Sequence, residues 1–187
     1  MKHNIRNQIK NRLKELVNKE SAAKKILSNI QPLIDSVSTV AIYHANGCEL
    51  NLDEVIRYCL SKGKKLYQPV SYRHSKQMLL MQYNANYVDI FSPQEFIPNN
   101  TYEWYNLDLI LLPLIAVDKR GYRLGKGGGY YDATLANVVQ GTSFPILCGI
   151  GFDVQLVEQI PNDNWDIRLN YFASECRLIK FERIIPT

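Results

Sequence analysis

An α/β fold with one largely parallel, open sheet flanked by helices is the architecture that this 187-residue sequence predicts, and three observations carry it. Residues 107–113 and 144–151 are short apolar runs of strand length without the alternation of a half-exposed strand, so they read as buried on both faces. Residues 5–33 place Ile5, Ile9, Leu13, Leu16, Ile26, Ile30 and Leu33 at helical spacing. Strand-like and helix-like segments then alternate along the chain without a low-complexity linker or an internal repeat, so residues 1–187 read as a single domain.

Taken in order, residues 5–33 form one long amphipathic helix or two short ones, with a restart near Ser21. Residues 36–43 read as a buried strand, followed by a turn through His44 and Glu49 into a helix over 51–61. Two further strands are expected at 65–70 and 77–83, with Met78 and Met81 in the core, and their polar turn suits antiparallel pairing. Residues 84–106, rich in Asn, Pro and aromatic side chains, read as a long ordered loop. There Trp104 and Tyr105 either wall a flat ring or cover a core edge. A helix is predicted over 132–139, irregular chain from 152 to 161, and terminal strands over 171–175 and 177–181, again with antiparallel character.

Composition narrows the function. No run of about 18 apolar residues exists, and the first residues lead into a charged helix, so a cytoplasmic protein without a membrane partner is expected. A net charge of +4, with acids spread through the chain and no basic-aromatic repeat, argues against nucleic acid. Cys48, Cys59, Cys148 and Cys176 contain no Cys-x-x-Cys pair, and the histidines stand at 3, 44 and 74, which argues against zinc or a disulfide framework. Oligomeric state is left open.

The densest signal is Gly121-Tyr-Arg-Leu-Gly-Lys-Gly-Gly-Gly-Tyr-Tyr-Asp132, which holds five of the ten glycines between a predicted strand and a predicted helix. Glycines let consecutive backbone N–H groups converge on phosphate oxygens, and Arg123 and Lys126 add side-chain positive charge. A Walker loop does not fit: three residues separate Gly121 from Gly125, and Gly127 follows Lys126. A dinucleotide fingerprint counted from Gly125 and Gly127 puts Tyr130 at its last glycine. On spacing alone, a plain glycine-rich surface turn is the competing reading.

Residues 112–118 followed by 121–132 resemble the signature of the 5-formyltetrahydrofolate cyclo-ligase (5,10-methenyltetrahydrofolate synthetase) family. The resemblance runs from Lys2 to Glu175, and it departs from the family pattern at Leu114, Val117, residues 89–93, Asn170 and Ser174. It implies an ATP- and Mg2+-dependent ligase that converts 5-formyltetrahydrofolate to 5,10-methenyltetrahydrofolate with release of ADP and phosphate. A non-catalytic nucleotide-binding relative of the same fold is the alternative.

The resemblance also implies site residues. ATP is assigned to Lys2, Arg6, Arg123, Leu124, Gly125, Lys126, Gly127, Gly128, Gly129, Tyr130 and Tyr131, with Arg123 and Lys126 as the catalytic cations. Folate is assigned to His44, Glu49, Tyr130 and Tyr131, and magnesium to Asp132 and Asp166. Without the resemblance, Lys2 and Arg6 read as ordinary solvated charge, Glu49 and Asp132 as helix-start acids, Asp166 as a turn residue, and His44 as a packing or solvent-facing side chain.

Overall fold

The computed structural model describes residues 1–16, 19–71, 75–84, 101–136, 138 and 144–182. Helices α1 (Lys2–Lys14) and α2 (Lys19–Asp35) break the N-terminal helical stretch in two. Ile9 and Leu13 of α1 and Ile26, Ile30 and Ile34 of α2 are buried, as the helical period requires.

There follow β1 (Thr39–Ala41), α3 (Asp53–Ser61), β2 (Lys65–Val70), β3 (Leu79–Gln82), β4 (Thr101–Tyr102) and β5 (Leu109–Pro113). The remaining elements are β6 (Ala116–Asp118), β7 (Arg123–Leu124), α4 (Tyr130–Leu135), β8 (Ile146–Ile150), β9 (Leu156–Val157), β10 (Tyr171–Ala173) and β11 (Leu178–Lys180).

Eight strands form one sheet in the order β11-β10-β8-β5-β1-β2-β3-β4. The inner five, β10-β8-β5-β1-β2, are parallel, while β11 on one edge and β3 and β4 on the other pair antiparallel. The largely parallel sheet with antiparallel strands near residues 65–83 and at the C-terminus is the predicted class; the strand order and the edge strand β4 were not predicted. Leu109, Ile110, Leu111 and Leu112 of β5 are all buried, because helices and loops cover both faces of a parallel sheet.

Several expected boundaries shift. The strand expected at 36–43 contracts to β1 because Ser38 and Thr39 turn their N–H groups to the Asp108 carboxylate instead of a ladder. The expected loop at 84–106 contains β4 and a 3-10 turn at Trp104–Asn106; its segment 85–100, including the atypical 89–93, lies outside the described residues. Trp104 is buried and donates its indole N–H to the Met78 carbonyl, so it covers a core edge. Tyr105 is exposed.

A second, three-stranded sheet, β7-β6-β9, was not anticipated. Its anchor is Asp118, fully buried, whose carboxylate accepts hydrogen bonds from the N–H groups of Arg120, Tyr122 and Ile160 and from the Arg120 guanidinium. The turn after β6 closes at Gly121, φ +88°, where a Cβ would sit 2.9 Å from the Phe181 ring. This sheet carries the glycine-rich loop.

Candidate active site

In the main sheet, β1 connects to β2 on one side and β5 to β8 on the other, so the chain switches direction between β1 and β5. Open α/β sheets form their pockets outside the strand C-termini at such a point. A cleft of about 710 Å³ opens there, lined by Tyr43 and His44 beyond β1, Pro69 and Ser71 at the end of β2, and Pro113 and Leu114 at the end of β5. The glycine-rich loop and α1 close its other side.

All fifteen residues singled out from the sequence line this one cleft: Lys2, Arg6, His44, Glu49, the ten residues 123–132, and Asp166. The loop is held by Arg6, whose Nε donates to the Gly125 carbonyl at 2.9 Å. Gly127 has φ +111°, which the turn requires and L side chains rarely adopt, while a Cβ there would make only ordinary contact with the Arg6 guanidinium at 3.6 Å. The N–H groups of Gly125, Lys126, Gly127, Gly128 and Gly129 donate to no other described residue.

The helix expected at 132–139 is α4, which starts two residues earlier and ends at Leu135. Gly129, in the left-handed region at φ +71°, ends the loop and lets Tyr130 begin the helix. Asp132 is therefore the third residue of a short helix rather than its opening acid.

Three cations of the cleft have carboxylate partners. Arg123, only 4% exposed, pairs with Asp132 at 2.8 Å and donates to the Ile167 carbonyl. Lys2 reaches Asp163 at 3.0 Å and Asp166 at 3.2 Å. Burial alone pulls the Lys2 ammonium down, but hydrogen bonds to Asp163 and Asp166 outweigh it and hold its pKa above the ordinary lysine value. Lys126, 45% exposed, pairs at 2.9 Å with Glu49, 8% exposed, and donates to the Asn46 carbonyl.

Glu49 precedes α3 by four residues, so it is not a helix-entry acid. Its second oxygen accepts the Asn46 N–H, which leaves the carboxylate aimed across the cleft at the loop. Burial first, and then the Glu49 charge, raise the phenol pKa values of Tyr43 and Tyr131, so both hydroxyls stay protonated.

Asp132 and Asp166 both line the cleft and offer hard oxygen donors, the chemistry that magnesium selects. No cluster of three or more His, Cys, Asp or Glu suited to a metal occurs among the described residues, so such an ion must draw its remaining ligands from phosphate and water. The two residues fit a metal bound together with a nucleotide.

Tyr43, Asp163, Lys76 and Trp165 also line the cleft and were not singled out from the sequence. The one local signal for Asp163 was its place three residues before Asp166, whose carboxylate accepts its N–H; its pairing with Lys2, 161 positions away, left no mark in the sequence. Among the family departures, Leu114 and Val117 are buried core residues, and the Asn170 side chain accepts the Leu147 N–H, tying the segment before β10 to β8.

The 5-formyltetrahydrofolate cyclo-ligase family model matches residues 1–174. A 5-formyltetrahydrofolate cyclo-ligase of Haemophilus influenzae is 33% identical over 141 residues, covering 70% of this chain and 72% of that protein. The Escherichia coli K12 protein of the same name is 32% identical over 157 residues, 80% of this chain and 84% of its own. The solved 5,10-methenyltetrahydrofolate synthetase of Aquifex aeolicus shares the fold, with a TM-score of 0.78 at 24% identity over 100% of this chain and 95% of that one. No helix among the described residues is long and apolar enough to cross a membrane.

Proposed function

The chain belongs to the 5-formyltetrahydrofolate cyclo-ligase family and is an enzyme of that ligase class, and from this premise we propose that it closes the formyl group of 5-formyltetrahydrofolate onto N10 with consumption of Mg-ATP. The observation that carries this reading is the shared cleft. One wall offers five consecutive N–H groups with Arg6, Arg123 and Lys126, a set suited to polyphosphate, and the facing wall offers the Glu49 carboxylate, suited to the N–H groups of a pterin.

An N-formyl oxygen is a poor leaving group. On this reading the formyl oxygen, rich in amide electron density, attacks the γ-phosphorus of ATP; the bond to the ADP oxygen breaks and ADP leaves with that electron pair. N10 then attacks the activated carbon and loses its proton, and the carbon–oxygen bond breaks with departure of phosphate. No strong base is required at the phosphoryl step, so positioning and charge stabilisation carry it.

Lys126 and the loop N–H groups stabilise charge on the transferring phosphoryl group, and Arg123 holds Asp132 and the 167 carbonyl in place beside it. When bound, magnesium supplies positive charge against the phosphate oxygens, with Asp132 and Asp166 as the carboxylates that would hold it. Glu49 orients the pterin, and the protonated Tyr131 lies between the two walls.

The test is the absorbance of 5,10-methenyltetrahydrofolate after mixing protein with 5-formyltetrahydrofolate. Product that forms only when both ATP and magnesium are present supports the reading. Absence of product, alongside measurable ATP binding, overturns it in favour of a nucleotide-binding relative.

A further inference from the structure

One polar contact in the cleft wall is left unused by the phosphate and pterin assignments. Gln68 lies on β2 between buried apolar residues and is itself fully buried. Its Oε1 is 2.9 Å from His44 Nε2, whereas its Nε2 has no hydrogen-bond partner among the described residues. A buried amide left half-unpaired is unfavourable, and an aliphatic side chain like that of Leu66 or Val70 avoids the penalty. The surviving contact to His44 is what distinguishes glutamine from those neighbours.

His44 is half-buried, follows β1, and lines the cleft with Glu49 and Tyr131. Its ring stacks on Tyr83 with centroids 6.1 Å apart and planes 25° from parallel. Stacking restrains the ring plane, and the Gln68 contact restrains rotation within it. An amide carbonyl only accepts, so Nε2 carries the proton, and in the neutral ring Nδ1 is then a hydrogen-bond acceptor. Together with Glu49 this gives the wall a second acceptor. Reduced pteridines are rich in N–H donors, whereas phosphate oxygens only accept and gain nothing from such a group.

We propose that Gln68 is a positioning residue that holds His44 in the Nε2–H form, so that His44 Nδ1 accepts a hydrogen bond from an N–H of the reduced pteridine of the folate substrate. The inference rests on the folate reading of the cleft, and it makes His44 a determinant of folate affinity rather than of nucleotide affinity.

Nitrogen-15 NMR of the His44 ring in the wild-type protein, assigned with His44→Phe, reports which nitrogen carries the proton; an unprotonated Nδ1 is expected. Steady-state kinetics of Gln68→Leu should show a folate KM raised about tenfold with the ATP KM unchanged, the loss expected for one hydrogen bond. Gln68→Glu, which keeps an acceptor toward His44, should restore most of it. His44→Phe, on the cleft wall, gives an independent reading if Gln68→Leu folds poorly, and the same selective rise in folate KM is expected. A protonated Nδ1 in the wild type, an unchanged folate KM, or equal rises in both KM values overturns the proposal. A wild-type enzyme that forms no product defeats the folate reading itself, and this inference with it; an active wild type with unaltered variant KM values removes only the inference.

Discussion

The Lys126–Glu49 ion pair should couple the two substrates. On the proposed assignment, ATP phosphates claim Lys126 and the pterin claims Glu49, yet in the structure these two side chains bind each other at 2.9 Å. Either substrate must break the pair and thereby releases the other's binding group. At this separation the gross attraction is about 6 kcal/mol in an effective dielectric near 20. Lys126 is 45% exposed, so solvent screening and side-chain entropy reduce the net contribution to about 1–1.5 kcal/mol, equivalent to roughly tenfold in affinity. Linkage requires the effect to be reciprocal. Calorimetric titration of a non-hydrolysable ATP analogue, with and without saturating 5-formyltetrahydrofolate, should therefore show about tenfold tighter binding in the ternary complex. Lys126→Gln and Glu49→Gln should each bring that ratio close to one. Independent binding in the wild type, or undiminished coupling in both variants, refutes the argument.

Three further outcomes follow from the geometry. Lys126→Ala should lower turnover more than tenfold with little change in stability, whereas Arg123→Ala should lower both, because its buried guanidinium also holds Asp132 and the 167 carbonyl; turnover and denaturant midpoints separate the cases. Gly121→Ala should destabilise by about 2 kcal/mol or more in chemical unfolding, since φ is +88° and the new Cβ meets the Phe181 ring at 2.9 Å. The Arg177 guanidinium, gripping Asp153 at 2.9 and 2.7 Å, holds that carboxyl below its ordinary pKa. A depressed folded pKa means stability that is present above the unfolded value of about 3.9 and lost as pH falls through the folded one. Asp153→Asn should then be less stable than wild type at pH 7, and the difference in unfolding free energy should shrink toward about pH 3.

The parallel core was legible because β5 and β8 are continuous apolar runs, and both antiparallel flanks were legible from strand pairs with short polar turns. The small sheet was not, because β7 and β9 have two residues each, too few to show a period. The start of α4 was misplaced because Asp132 looks like an opening acid, while the left-handed Gly129 performs the turn three residues before it. The cleft's cations and acids were each visible as residue types, but their pairing was not. Lys126 and Glu49 are 77 positions apart, and only the meeting of the small sheet with the segment after β1 brings them together.

The same long-range closure sets an order of events during synthesis. Helix α1 leaves the ribosome well before its partners, for Arg6 finds its acceptor at Gly125 and Lys2 its partners at Asp163 and Asp166, separations of 119, 161 and 164 residues. The central strand β5 likewise waits for β8 to emerge. The nascent chain therefore carries an amphipathic helix with an unburied apolar stripe while more than a hundred further residues are made, and gains a complete pocket only once Asp166 has emerged.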